Sequence, residues 1–146
     1  MSNQYAANNN AERSHLERVI ARLSEKDYSR PVGTKGWTVA SALGHLAFWD
    51  RRASVLIARY RREGVKQSEM DEDILNDSLA WLCAGVPGNT IARLAREAAI
   101  AIDREIDELP ADLVARMETK DSSVRLDRGL HRAHHLAQIE NAVGWK

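Results

Sequence analysis

Three of the chain's five histidines, His131, His134 and His135, fall in one short stretch, HRAHHLAQIEN. On a helix, His131 and His135 lie one turn apart on the same face, a workable bite for a transition metal. His131 and His134 are also helical neighbours, so spacing alone does not choose between the pairs. Angular position does: at about 100° per residue, His131 and His135 share a stripe with Val124, Ile139 and Ala142, and His134 falls at its edge, toward solvent. A distant fourth imidazole, His45 in ALGHLAFWD, flanks the apolar stripe of its own segment, about 60° from the stripe's centre. Brought against the inward pair, it would give three nitrogen ligands and a position open to water or substrate. Catalytic metal sites have that pattern, whereas closed structural sites use four protein ligands. The plainer reading of the same residues is buried histidines bonded to a carbonyl or carboxylate, or a surface pair with no role.

Other residues could serve such a centre. Arg52 follows His45 by seven positions, almost on the same angular line and roughly 10 Å along the helix. It could clamp a carboxylate of a thiol cofactor or substrate, or join Arg51, Arg59, Arg61 and Arg62 in solvating the helix. Trp37 and Trp49 could line a pocket or simply fill the core. Asn76 is a pocket candidate because its segment can close over the end of a bundle. Cys83, beside Trp81 and Leu82, reads as packing, and Ile100 as an isolated exposed apolar residue.

The elements that must position these side chains are helical, and strand signals are nearly absent. A first helix is expected over about 10–24, with Leu16, Val19, Ile20 and Leu23 on one face. The Asn-rich start, about residues 1–9, reads as disordered. Residues 25–37 read as a loop around Pro31, Gly33 and Gly36. Thr38 caps a second helix that runs to about Glu63 and stops at Gly64; Val39, Ala42, Leu46, Trp49, Ala53, Leu56 and Tyr60 form its stripe. A long polar connection through Asp73 leads to a short helix over about 74–83. A clean helix over about 89–109 follows, with Ile91, Leu94, Ala95, Ala98, Ile102, Ile106 and Leu109 on one face and Pro110 ending it. A polar loop through Ser123 precedes a last helix over about 124–143. The pattern predicts an all-α fold, a single-domain four-helix bundle spanning 1–146.

Composition narrows the class. The chain has 146 residues, 44% of them hydrophobic and 29% charged, enough for one packed core with a solvated surface. Lys plus Arg and Asp plus Glu each number 21, and this zero balance argues against nucleic acid as a partner. A single cysteine excludes an internal disulfide and a cysteine-rich zinc site. No apolar run is long enough to span a membrane, and the polar start has no signal-peptide core, so the expected location is cytoplasmic.

Three segments together resemble the DinB-like superfamily of metal-binding four-helix bundles, which includes thiol-dependent S-transferases. They are Gly36-Trp37-Thr38-Val39, Gly44-His45-Leu46-Ala47-Phe48-Trp49-Asp50, and His131-x-x-x-His135-Leu-Ala-Gln-Ile139. The resemblance implies an up-down-down-up course, often a homodimer, and His45, His131 and His135 as ligands of a divalent metal, usually zinc or nickel. Many relatives carry a further histidine one turn before the position of His131. Here that place is Asp127, which could orient His131 through a carboxylate or be a solvated residue near the helix start. Members include mycothiol- or bacillithiol-dependent transferases and isomerases, and this chain is expected to hold the bundle alone, without the C-terminal domain of the maleylpyruvate isomerase type. The expected function is a low-molecular-weight-thiol-dependent S-transferase acting on small electrophiles, of the detoxification type. A metal-dependent hydrolase uses the same centre with water as the added ligand. A non-catalytic stress or metal-binding bundle is the alternative from another class.

Overall fold

Thr38 marks the start of the longest helix: its Oγ1 accepts from Ser41 N at 3.1 Å and Ser41 Oγ accepts from Thr38 N at 2.7 Å, a reciprocal cap. In the computed structural model, which describes residues 3–145, this is helix α2, Val39–Glu63. The others are α1 (Ala6–Arg22), α3 (Glu72–Ala84), α4 (Gly88–Asp107), α5 (Ala111–Met117) and α6 (Arg128–Val143). Helices α1, α2, α4 and α6 pack in a ring, α2 on α4, α4 on α1, α1 on α6 and α6 on α2, while α3 lies against α2. Among the described residues the regular structure is helical apart from one two-stranded ribbon with two residues in each strand.

Two apolar clusters fill the ring. One gathers Leu16, Val19, Leu43, Leu46, Ile91, Leu136 and Ile139; the other gathers Leu56, Tyr60, Ile102, Ile106, Leu113 and Leu126. The α2 stripe is buried as expected, except that Trp49 is half-buried. On α4, Leu94 departs from the expected face and is 44% exposed.

Four expectations need correction. The Asn-rich start is not disordered over its described part: α1 begins at Ala6, and Asn9 is 2% exposed. Residues 1 and 2 lie outside the described residues. The reason is tertiary. Asn9 Oδ1 accepts from the first backbone N–H groups of α6, Arg128 N at 2.8 Å and Gly129 N at 3.0 Å, and its Nδ2 donates to Leu126 O at 3.0 Å. Helix α6 starts at Arg128 rather than near 124, because Asp127 Oδ1 accepts from Leu130 N at 3.2 Å and so caps it there. The stretch between Pro110 and Ser123 is not all loop; Pro110 opens α5, which buries Leu113 and Met117. The 25–37 segment contains a short 3-10 turn, Glu25–Ser29, and a ribbon of β1 (Pro31–Val32) against β2 (Trp37–Thr38). Its tight return passes through Gly33 and Gly36, at φ 67° and 80°. That ribbon sets Trp37 at the mouth of the helix ring.

Candidate metal centre

His45 on α2 and His131 and His135 on α6 come together: each offers a ligand atom, and these atoms all lie within 4.8 Å of one another. The His45 and His131 ring centroids are 4.8 Å apart, and those of His45 and His135 are 4.4 Å apart. His134 is exposed on the outer side, as its angular position predicts. Trp37 stacks on His135 with centroids 6.2 Å apart and packs at 5.0 Å from His45, while Trp49 packs at 6.1 Å on another side of His45. Both tryptophans are thus walls of the cluster.

The hydrogen-bond pattern sets the ring tautomers. Asn76 Oδ1 accepts from Trp49 Nε1 at 3.0 Å, which orients the amide, and from His45 Nδ1 at 3.1 Å. His45 therefore carries its proton on Nδ1 and presents the Nε2 lone pair. Gln138 Oε1, at 2.9 Å from His135 Nδ1, does the same for His135. His131 Nε2 lies 2.8 Å from His45 Nε2. Its Nδ1 is buried with no hydrogen-bond partner.

Burial also keeps the rings neutral. Desolvation first, then the charges of His135 and Arg128, push His45 down to about 4. Desolvation, then His135 and His45, push His131 down to about 2. His135 moves in the same direction, again chiefly through burial. Neutral imidazole is the metal-ligating form. Three uncharged nitrogen donors, two of them held by an acceptor on the far ring nitrogen, and one orphaned buried nitrogen fit a divalent transition metal.

Two expected auxiliaries stand elsewhere. Asp127 does not orient His131: besides capping α6, its Oδ1 accepts from Asn8 Nδ2 at 2.7 Å. Arg52 is not free to clamp a carboxylate. It donates to Ser68 O at 2.8 Å and Ser123 O at 3.3 Å, tying together the connections before α3 and α6, and lies 5.2 Å over the Trp49 ring. Asn76 does reach the cluster, as a partner of His45.

Sequence reasoning missed the support beneath the histidines. Arg132, fully buried, donates to both oxygens of Asp103 (2.9 and 2.8 Å), to Asp50 Oδ2 (3.2 Å) and to Asn9 O (3.0 Å). Arg128 Nε donates to Asp50 Oδ1 at 2.9 Å, and Arg13 to Asp103 Oδ2 at 2.7 Å. The one available signal was charge where burial was expected: Asp50 follows the HLAFW run, and Arg132 sits between two histidines that face inward.

The helical fold and the tri-histidine cluster are in keeping with a DinB-like protein, and a family-model match supports that class. The family model for the mycothiol maleylpyruvate isomerase N-terminal domain matches residues 10–138, and the chain belongs to that family. No curated protein and no solved structure matches it. Among the described residues no helix is long and apolar enough to cross a membrane.

Proposed function

We propose that this protein is a metal-dependent, thiol-using S-transferase that conjugates small electrophiles. His45, His131 and His135 hold one divalent ion, zinc or nickel, and the co-substrate is a low-molecular-weight thiol such as mycothiol or bacillithiol. The observation that carries this reading is the preset donor set: neutral rings, with Asn76 and Gln138 on the far nitrogens of two of them. The family's link to mycothiol enzymes supports the choice of thiol.

A divalent ion in the site supplies fixed positive charge that favours a bound thiol as its thiolate near neutral pH. The chain's own residues do the rest. Asn76 holds the proton of His45 on Nδ1, and Gln138 that of His135. Trp37 and Trp49 shield two sides of the imidazoles from water, which strengthens electrostatic interactions inside. The ion-paired layer of Asp50, Asp103, Arg128 and Arg132 keeps α2 and α6 in register beneath the ligands. To the same reading belong the up-down-down-up course of the four long helices, a homodimeric state and a cytoplasmic location with no nucleic-acid partner.

Elemental analysis of the purified protein tests it, with about one divalent metal per chain expected in the wild type. His45→Ala and His131→Ala should lose it while keeping their helical circular dichroism. Conjugation of an electrophile panel should then require both metal and thiol. A folded wild type without metal under metal-replete expression would overturn the proposal. Turnover without thiol would move the centre to metal-dependent hydrolysis. A metal-loaded protein inert with either thiol would make it a binding protein.

A further inference from the structure

The ion-paired layer beneath the histidines is not neutral. Asp50 and Asp103 supply its two carboxylates, and Arg13, Arg128 and Arg132 all bond to them. Three guanidinium groups against two carboxylates leave one positive charge in excess, and a buried charge without a countercharge is costly. The excess is not spread evenly. Arg132 donates to both carboxylates, and Arg13 holds Asp103 from a position 26% exposed, where water solvates it. Arg128 is 8% exposed and takes one carboxylate oxygen, through Nε. Its Nη1 makes a long bond to Arg125 O at 3.4 Å, and its Nη2 donates to nothing among the described residues. That nitrogen is not sealed off, unlike Arg132 Nε, which is buried and unbonded. Asp127, its neighbour in sequence, is engaged by Asn8 and by the cap of α6.

Arg128 belongs to the same face of α6 as the histidines. At about 100° and 1.5 Å per residue it lies about 20° from His135 and 60° from His131, and about 4.5 Å along the axis from the latter. Its side chain crosses to Asp50 on α2, so the guanidinium stands in the seam between the two helices. Behind burial and the other imidazoles, its charge is the next that lowers His45 and His131, which places it near both rings. Of the packings round the helix ring, α6 on α2 is the slightest, so this seam is the natural way in for a small molecule. Arg52, on the facing stripe of α2, is already occupied by Ser68 O and Ser123 O.

We propose that Arg128 is the anchor for a carboxylate on the small molecule that meets the imidazoles, with Nη2 as its donor. The inference rests on the reading of His45, His131 and His135 as a small-molecule centre and adds the class of ligand: a short thiol or electrophile with a carboxylate close to its reacting end. A bound carboxylate brings the layer to three guanidinium groups and three carboxylates. An amide leaves the excess in place, and an ammonium adds to it.

Calorimetric titration of the full chain, metal-loaded and metal-free, tests this with 3-mercaptopropionate, 3-mercaptopropionamide and cysteamine. Crotonate and crotonamide repeat the comparison for a carboxylate carried by the electrophile. The acid of at least one pair should bind about tenfold more tightly than its amide, as one charge-assisted hydrogen bond gives, and cysteamine should bind most weakly. Arg128→Gln, which keeps a donor for Asp50, should remove that preference, and Arg128→Lys should restore part of it. A merely structural role would weaken acid and amide alike. The metal-free wild type should keep the preference, because the unbalanced charge belongs to the chain and not to the ion. This comparison carries the test if neither variant folds. A protein that takes up no metal yet prefers the acids through Arg128 would sink the transferase reading and leave the anchor standing. Metal uptake with equal affinity for acid and amide in both pairs would overturn the anchor and leave the transferase reading standing. A preference that survives Arg128→Gln, or no binding of any probe to either form, would overturn the anchor too.

Discussion

At the scale of single residues, the proton positions on three rings decide what the cluster can do. One oxygen of Asn76 serves both His45 and Trp49. Removing such an outer partner weakens metal affinity by about 10–100-fold. Asn76→Ala should show that loss in a chelator-competition titration, together with a changed Trp49 emission; an unaltered affinity would deny it an orienting role. The depressed imidazole pKa values have a further consequence for the metal-free protein. In the unfolded chain these histidines titrate near 6.5, whereas folded His45 does so at about 4 and His131 at about 2. Below 6.5 the unfolded chain therefore binds protons that the folded chain does not, and stability rises with pH. Acidification from pH 7 to 5 should lower the unfolding free energy measured in urea by up to about 1.4 kcal/mol per pH unit for each histidine inside that window, and the midpoint with it. His131→Asn should flatten the response, and a wild-type midpoint that stays constant would refute the burial argument.

At the scale of elements, the placement of α6 depends on the start of the chain. Its first two backbone N–H groups are accepted by Asn9 from across α1, and its cap Asp127 is held by Asn8. Gly129 permits this close approach, since a Cβ there would lie 2.5 Å from Asn8 Nδ2 and 2.8 Å from Asn8 O. Asn9→Ala would leave two buried N–H groups and the Leu126 carbonyl without that partner. We expect a loss of about 2–4 kcal/mol in denaturant unfolding, at roughly 1–3 kcal/mol per unmet group after partial relaxation. Metal affinity should fall with it, because His131 and His135 ride on α6; normal stability would show that α6 needs no such brace. A polar, repetitive Asn run looked like a frayed end because nothing local distinguishes an amide that will cap another helix from one that will meet water. The boundaries of α2 were legible for the opposite reason: Thr38, Ser41 and Gly64 act within one turn of the ends they define.

At the scale of the whole molecule, Arg132 joins all four long helices, bonding Asn9 on α1, Asp50 on α2 and Asp103 on α4 from its place on α6. Arg132→Met would leave two buried carboxylates short of countercharge. It should cost about 3–5 kcal/mol by urea denaturation, and replacing Asp50 and Asp103 by leucine in the same chain should recover part of that. A neutral single substitution would mean the network is better hydrated than its burial implies. Helical class, the inward turn of His131 and His135 and the outward turn of His134 were readable from the chain itself, because helix periodicity and capping are encoded within a few residues. The meeting of His45 with His131 across 86 positions, the service of Asn76 and Gln138 to the rings, and the burial of Asp50 and Arg132 were decided only by the tertiary structure. A polar side chain on a helix acquires its partner from the packing of other helices, and no local spacing records which helix that will be.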